Sequence, residues 1–232
     1  MKTPPPPLST RVLYEDNHLI IVNKLPSEIV QGDKTGDIPL SEIVKSYIKE
    51  KYQKPGNVFT GVIHRIDRPA SGAIVFARTG KALARMNELV KNRELKKTYW
   101  AIVQNRPEKL EAKLVHYLVR NSKKNKSTAH YKLVPDSKEA ILNYKIIGDS
   151  DNYCLLEIEL ITGRHHQIRA QLANIGSPIK GDLKYGSPRS NKDASISLHA
   201  RSLEFIHPVK KETIKVVADT PNDALWDYFS NL

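Results

Sequence analysis

Short apolar segments joined by short connections are the feature that most constrains how this 232-residue chain can fold. The segments occupy residues 11–14, 19–23, 73–77, 97–103, 112–119, 128–134, 140–147, 153–161, 196–206 and 212–218. Many of the connections are too short to hold the crossover helix that parallel neighbouring strands require, which favours antiparallel pairing. The sequence therefore predicts an α+β fold with a largely antiparallel mixed sheet and flanking helices.

Apolar residues recur at helical spacing in three other segments, which we predict to be the flanking helices. They are residues 40–48, residues 79–90 with Thr79 as the expected N-cap, and residues 168–175, which end before Gly176. The chain contains no internal repeat. Its length fits one main domain, predicted at residues 11–232, after a flexible proline-rich tail at residues 1–10.

The positive charge of the chain is concentrated in one segment. The formal charge is +12, from 37 Lys and Arg against 25 Asp and Glu. Residues 78–132 contain 15 basic and 4 acidic side chains, and this excess of 11 is almost the whole net charge. Such a localised field suits a polyanion, because each phosphate that is neutralised releases counterions. Nucleic acid is the predicted partner, and a basic solubilising face is the alternative.

Hydropathy and the cysteine count limit where the chain works. No segment approaches the roughly 20 apolar residues that cross a bilayer, so no membrane partner is expected. The first ten residues lack the apolar stretch of a secretory signal, which predicts a cytoplasmic location. Cys154 is the only cysteine, so an intrachain disulfide is impossible, and we interpret it as a buried strand residue.

The first segment that could carry catalytic chemistry is Gly61-Val-Ile-His-Arg-Ile-Asp-Arg-Pro-Ala-Ser-Gly72. It places Asp67 between Arg65 and Arg68 and ends in turn-forming residues. Neighbouring guanidinium groups favour an ionised carboxylate, which a nucleophile or a base needs at neutral pH. For an isolated Arg-x-Asp sequence, an ion pair on the surface or on one strand face is the better interpretation.

The second segment runs from Ile161 to Gly186 and begins where an apolar strand ends. Thr162 and Gly163 can turn the chain before the third predicted helix. His165 and His166 would lie about 100° apart around a helix, which makes joint metal ligation awkward. No Cys or carboxylate completes a common ligand set, so no metal is predicted.

Together the two segments resemble the RluA family of pseudouridine synthases, whose signatures they match in order and separation. The first family signature, His-Arg-Leu-Asp, two variable residues, Thr-Ser-Gly, is similar to His64-Arg-Ile-Asp-Arg-Pro-Ala-Ser-Gly72. The second, Thr-Gly-Arg, one variable residue, His-Gln-Ile-Arg, is similar to Thr162-Gly-Arg-His-His-Gln-Ile-Arg169, with Gly176, Pro178-Ile179 and Gly181-Asp182 after it.

Two further matches extend the resemblance to roughly residues 11–221. Lys97-Thr-Tyr-Trp-Ala-Ile-Val103 resembles the Lys-x-Tyr strand of the family, and Leu198-His-Ala-Arg-Ser-Leu-Glu-Phe-Ile-His-Pro208 resembles its closing segment. Ala70 replaces the usual Thr, and Gln171 stands where the family generally has His. Many relatives carry an N-terminal S4-type RNA-binding domain, and we expect none here, because the matched region follows almost directly after the proline-rich tail.

The resemblance implies the pseudouridine synthase catalytic-domain fold and a cofactor-independent isomerisation of uridine in RNA. Asp67 would attack the sugar at C1′ or remove the 2′ proton, and the sequence does not choose between these routes. Arg169 would pair with Asp67, and Tyr99 would lie against the uracil ring, although core packing on a strand also explains a tyrosine there. Large-subunit ribosomal RNA and transfer RNA are both compatible substrates, and we expect a monomer.

The resemblance also implies that the target base leaves its stack to reach the carboxylate. Arg65 would fill the vacated space, with a structural partnership to Asp67 as the alternative. His64 and Arg164 are the other RNA-binding candidates near the site, and His64 would also orient its motif. Residues 121–128 are predicted to form a basic loop between two strands, whose RNA-binding candidates are Lys123, Lys124 and Lys126.

Three other functions share single features with this sequence. A non-catalytic RNA-binding protein of the same fold needs the basic segment but not Asp67, Tyr99 and Arg169 together. A protein kinase needs His-Arg-Asp without an intervening residue, a glycine-rich loop and Asp-Phe-Gly, which the chain lacks. A glycoside hydrolase normally uses two opposed carboxylates, whereas these motifs offer one acid among arginines. The RNA-binding protein is therefore the main alternative.

Overall fold

The computed structural model describes residues 5–232, which form two compact units. Unit 1 comprises residues 5–95 and 200–219, and unit 2 comprises residues 96–199 and 220–232. Residues 1–4 of the predicted tail lie outside the described residues. Within the described part of that tail, a 3-10 helix begins at Leu8 and ends at Arg11.

Eleven strands and four α-helices occur within residues 5–232. The strands are β1 (Val12–Glu15), β2 (Leu19–Lys24), β3 (Gly61–Val62), β4 (Ser71–Ala77), β5 (Lys96–Val103), β6 (Glu111–Asn121), β7 (Lys126–His130), β8 (Lys138–Asp149), β9 (Cys154–Leu160), β10 (Leu198–Ile206) and β11 (Thr213–Val217). The helices are α1 (Leu40–Lys51), α2 (Gly80–Lys91), α3 (Gln167–Asn174) and α4 (Ala224–Ser230). No helix in this part of the chain is both long and apolar enough to cross a membrane.

Unit 1 is built on a sheet with the strand order β1, β2, β4, β10, in which β3 pairs with β4 and β11 with β10. β2 runs antiparallel to both of its neighbours, and Ile20 lies opposite Phe76 of β4. All seven residues of β4 are buried, as are the first four of β2. Strands covered on both faces need continuous apolar runs, which is the pattern that the sequence shows there.

Helix α2 covers one face of the unit 1 sheet. The side chain of Thr79 accepts a hydrogen bond from the Ala82 amide at 3.1 Å and begins the helix, as the sequence predicted. Ala82 and Met86 then pack into a core that includes Leu19 and Phe205. This packing buries the helix face that the apolar spacing had marked.

Unit 2 contains a fully antiparallel sheet in the order β5, β9, β8, β6, β7. Helix α3 packs Ala170 against Leu118 and Ala129 of β6 and β7. At the β5–β9 end, α4 contributes Trp226 and Phe229 to a second cluster with Ile102 and Leu155. The predicted α+β class with antiparallel pairing is confirmed.

The predicted strand at 128–134 and the predicted loop at 121–128 are both displaced. β6 continues through Asn121, and β7 begins at Lys126, so the turn between them covers only residues 122–125. Asn121 lies opposite Lys126, and its side-chain oxygen accepts a hydrogen bond from the Lys124 amide at 2.9 Å. β7 is the last strand in the order, and an edge strand can begin with a charged residue such as the half-buried Lys126. The apolar pattern therefore predicted a start that is too late.

Candidate active site

Asp67 lies on a tight turn of unit 1, in the loop between β3 and β4. The Ala70 amide donates to the backbone oxygen of Asp67 at 3.0 Å and closes the turn. Gly72 follows with a φ of +116°, and a Cβ added there would lie 2.4 Å from backbone atoms of Ala200. Only glycine fits this position without displacing the backbone, so the chain leaving the turn is held close to β10. Asp67 itself is half-buried.

A buried lysine donates hydrogen bonds to the same turn. Lys24 is fully buried at the end of β2, and its ammonium group donates to the carbonyl oxygens of Leu25, Arg68 and Ala70 at 2.9, 3.1 and 2.6 Å. Burial lowers the pKa of Lys24 to about 7, although the negative charges of Glu28 and Asp67 act to raise it. Lys24 therefore connects the end of β2 to two carbonyl groups of the turn that follows Asp67.

Lys24 was not among the predicted site residues. A lysine that ends an apolar run is usually a solvent-exposed residue, and no local signal distinguishes one whose ammonium group is enclosed by carbonyl groups. Its three acceptors come from its own neighbour and from a loop 44 to 46 residues away, so only the folded chain assembles them.

The other predicted residues of the first segment differ in their surroundings. His64 is half-buried, and its Nε2 accepts a hydrogen bond from the Val75 amide at 3.3 Å, which fixes the loop to β4. Arg65 is exposed. The guanidinium of Arg68, which the sequence placed beside Asp67, forms an ion pair with Asp37 at 2.6 Å instead. That pair is solvent-exposed.

The second segment of the sequence, residues 161–186, lies in unit 2 and leads into α3 through hydrogen bonds to the side chain of Gln167. Its side-chain oxygen accepts hydrogen bonds from the Thr162 hydroxyl at 2.8 Å and the Arg164 amide at 3.0 Å. Its amide nitrogen donates to the Ile141 carbonyl at 3.1 Å. His166 adopts a left-handed conformation with φ of 52°, and α3 begins directly after it. Therefore His165 and His166 are not consecutive helical residues, and their rings stack at 3.8 Å.

Arg169 is buried on α3 and forms a two-pronged ion pair with Asp182. Its Nε donates to Oδ2 at 2.7 Å, and its Nη2 donates to Oδ1 at 2.8 Å. The guanidinium also lies 5.0 Å from the centre of the Tyr185 ring. The sequence had matched Asp182 to the family signature without giving it a partner, and the predicted pairing of Arg169 with Asp67 stays a prediction.

Tyr99 is a buried residue of β5, where it lies opposite Ile158 of β9. Lys97, two positions earlier, projects from the same face of the strand. Its Nζ lies 3.6 Å from the position that a Cβ would take on Gly163, and burial lowers its pKa. The strand therefore directs both a tyrosine and a desolvated cation to one face, beside the turn that precedes α3.

The remaining predicted RNA-binding residues also belong to unit 2. Arg164 is exposed, and its Nε donates to the Glu139 carbonyl at 2.9 Å. Lys123 and Lys124 are exposed in the turn between β6 and β7, and Lys126 is half-buried at the start of β7. Within residues 5–232, no group of three or more His, Cys, Asp or Glu side chains is arranged to hold a metal ion.

Known proteins are similar to this chain in sequence and in fold. Residues 18–174 match the model of a family described as RNA pseudouridylate synthase. An uncharacterized RNA pseudouridine synthase of Synechocystis is 30% identical over 214 residues, which cover 90% of this chain and 65% of that protein. The ribosomal large subunit pseudouridine synthase C of Buchnera aphidicola is 32% identical, with 89% of this chain and 66% of that protein covered. The chain thus spans just under two thirds of the length of these two relatives.

Among solved structures, human RNA pseudouridylate synthase domain containing 4 has a similar fold. It superimposes with a TM-score of 0.81 and 21% sequence identity, and the match covers 97% of this chain and 93% of the human one. At this identity the likeness concerns the fold alone. It agrees with the catalytic-domain fold that the sequence signatures predicted.

Proposed function

This chain belongs to the RNA pseudouridylate synthase family, and from that premise we propose that it isomerises uridine in RNA to pseudouridine. The observation that carries the proposal is the family match over residues 18–174, which includes both the Asp67 turn and the turn into α3. The reaction breaks the bond between ribose C1′ and uracil N1 and forms a bond from C1′ to C5, while C5 loses its proton and N1 gains one. It is an isomerisation, so it involves no redox step and no external group.

In this proposal Asp67 is the catalytic carboxylate. The closed turn and the carbonyl contacts of Lys24 support it, because a reacting group must be held in a defined position. We propose that Tyr99 lies against the uracil ring and assists removal of the C5 proton. Arg169 is proposed to pair with the catalytic carboxylate and keep it ionised. The target base would leave its stack, and Arg65 would fill the space.

The proposed substrate is large-subunit ribosomal RNA, with transfer RNA as the second candidate. The name of the Buchnera relative contains the words ribosomal large subunit, which favours the first. The basic segment at residues 78–132 supports binding to either RNA through its phosphates. We further propose that residues 11–232 work as one catalytic domain, as a monomer in the cytoplasm.

A tritium-release assay tests the proposal directly. A tritium atom at C5 of uridine is lost when C5 bonds to C1′, so its release from labelled RNA reports the reaction. We expect the wild-type protein to release tritium, and Asp67→Asn to bind the same RNA without releasing it. Asp37→Asn is the matched control, because Asp37 is an exposed carboxylate that pairs with Arg68 next to the turn.

The outcomes separate the two leading functions. Tritium release by Asp67→Asn at the wild-type rate would reject the assignment of the carboxylate. Wild-type protein that binds ribosomal and transfer RNA but releases no tritium from either would favour the non-catalytic RNA-binding protein. Comparing pseudouridine maps of cells with and without the protein then identifies the target RNA and position.

A further inference from the structure

The turn between β6 and β7 is fastened to the segment that leads into α3. Ser127, the second residue of β7, donates its hydroxyl proton to the His165 carbonyl oxygen at 2.7 Å. The same hydroxyl lies 2.9 Å from Nδ1 of His165. The other ring nitrogen, Nε2, contacts the side-chain amide of Asn125 at 3.0 Å.

A second connection passes through Tyr185. Its hydroxyl accepts a hydrogen bond from the Ser127 amide at 2.8 Å and contacts Nδ1 of His166 at 3.0 Å. The ammonium group of Lys126 lies 5.1 Å from the centre of the same ring, and the guanidinium of Arg169 lies 5.0 Å from it. One buried aromatic ring therefore contacts both the start of β7 and the arginine of α3.

A third contact adds another cation to this surface. Lys184 is exposed, and its ammonium group donates to the Asn125 carbonyl oxygen at 3.1 Å. Lys123, Lys124, Lys126 and Lys184 thus surround the turn. In the described part of the chain, none of these lysines forms an ion pair with a carboxylate, so their charges are available to an anion.

We propose that these four lysines form one phosphate-binding surface for the RNA substrate. We also propose that His165 fixes the position of this surface relative to the segment that carries Arg169. We name it the hairpin surface, defined by Lys123, Lys124, Lys126 and Lys184. The inference rests on the proposed function and adds a positioning residue. Position 165 is the variable position of the second family signature, so this contact belongs to this chain rather than to the signature.

The two parts of the proposal have different physical consequences. Lysines that neutralise phosphates release counterions, so their removal must reduce the salt dependence of binding. His165 neutralises no phosphate in this scheme. Its removal leaves every lysine in place but frees the turn, so binding must then also order the turn, which costs affinity without changing the salt dependence.

The test measures fluorescence anisotropy of wild-type protein with a labelled substrate RNA over a range of KCl concentrations. Replacing the four lysines of the hairpin surface with Ala should make the plot of log K against log salt less steep. Its negative slope should shrink in magnitude by about one for each phosphate that is no longer neutralised. The matched control replaces Lys145 on β8 and Lys192, which are exposed in the same unit and lie outside the basic segment at residues 78–132. We expect this control to keep the wild-type slope.

His165→Ala should weaken RNA binding about three- to tenfold at an unchanged salt slope, the size expected for losing one or two hydrogen bonds. In the variant that already lacks the four lysines, His165→Ala should cause no further loss of RNA affinity. Asn125→Gly is a second variant that removes only the contact at the exposed tip and suits the positive φ of 45° there. It should reproduce part of the loss, and melting curves confirm that each variant is folded.

An unchanged salt slope after removal of the four lysines rejects the hairpin surface. A His165→Ala effect that is equally large with and without the lysines rejects the positioning role. Both results are read from binding, so they do not depend on catalysis. Absence of tritium release by wild-type protein that still shows the expected slopes would reject the proposed enzyme activity and leave the RNA surface intact.

Discussion

Asp182 presents both carboxylate oxygens to the Nε and Nη2 of Arg169, at 2.7 and 2.8 Å, and both side chains are at most 6% exposed. Two parallel hydrogen bonds fix the plane of the guanidinium as well as its position. The orientation of Arg169, a proposed catalytic residue, is thus set within unit 2 by a residue 13 positions further along the chain.

We therefore expect Asp182→Ala to destabilise the fold strongly. The substitution removes the acceptor of two hydrogen bonds from a buried guanidinium, and breaking a buried ion pair typically costs about 3–5 kcal/mol. Urea unfolding measures the loss, and Glu42→Ala is the control because the Glu42–Lys45 pair is exposed and worth less than about 1 kcal/mol. Equal losses in the two variants would contradict the structural role of the buried pair.

Arg169→Lys gives a separate prediction about the same pair. Lysine keeps the positive charge but cannot make two parallel hydrogen bonds to one carboxylate. If orientation matters as well as charge, tritium release by this variant should fall at least about tenfold, while RNA binding changes little. Wild-type turnover would mean that charge alone suffices at this position.

Lys24→Met should loosen the turn that carries Asp67. The variant removes the donor of the Leu25 and Ala70 carbonyl oxygens, whereas the Arg68 oxygen keeps a hydrogen bond from the Ser27 amide at 2.9 Å. We expect a loss of about 2–4 kcal/mol in the free energy of unfolding. Lys49→Met, at an exposed position of α1, should change stability by less than about 0.5 kcal/mol. A Lys24 variant as stable as the Lys49 variant would contradict the buried contacts.

The pH dependence of stability provides a second measurement on Lys24. Its folded-state pKa is about 7, whereas a lysine in the unfolded chain keeps its proton to about 10.4. Between these values the unfolded state binds more protons, so stability rises with pH. The free energy of unfolding of the wild type, relative to Lys24→Met, should therefore increase from about pH 7 to about pH 10 and stay level below about pH 7. A flat difference across both ranges would exclude the shift.

Gly72→Ala should destabilise unit 1 by about 3–5 kcal/mol, because it combines a strained φ with a collision. The new methyl group would lie 2.4 Å from the backbone of Ala200, which cannot move without disturbing β10. Gly80→Ala is the matched control, since it begins α2 with no atom within 4 Å of the added carbon. Thermal melts should show a large loss for the first and almost no change for the second.

Gln171→Leu tests a departure of this chain from the family signature. The Gln171 amide nitrogen lies within hydrogen-bonding distance of the carbonyl oxygens of Leu114 and Ala140 and of Nδ1 of His116, at 3.3, 3.2 and 3.0 Å. Leucine has a similar volume but no donor, and it also removes the buried Oε1, which has no hydrogen-bond partner among the described residues. The variant should therefore lose about 1–2 kcal/mol. Gln31→Leu, at an exposed position, should be close to neutral. Urea midpoints distinguish the two.

Local pattern alone identified much of the secondary structure. The apolar spacing of α2 and its Thr79 cap depend on neighbouring residues, and the structure begins the helix where that cap predicts. β3 and α4 were not predicted. β3 has only two residues, too few for a period, and α4 is held by burial of Trp226 and Phe229 in a core that distant strands complete.

The sequence by itself determined the family signatures, the antiparallel α+β class and the basic segment, because each of these is a pattern of neighbouring residues. Tertiary structure alone decided the partners. Lys24 reaches carbonyl groups 44 and 46 residues away, Arg169 finds Asp182, and Ser127 meets His165 across 38 residues. A buried polar group requires a partner, but which distant residue supplies it depends on the packing of strands and helices, and no local pattern records that choice.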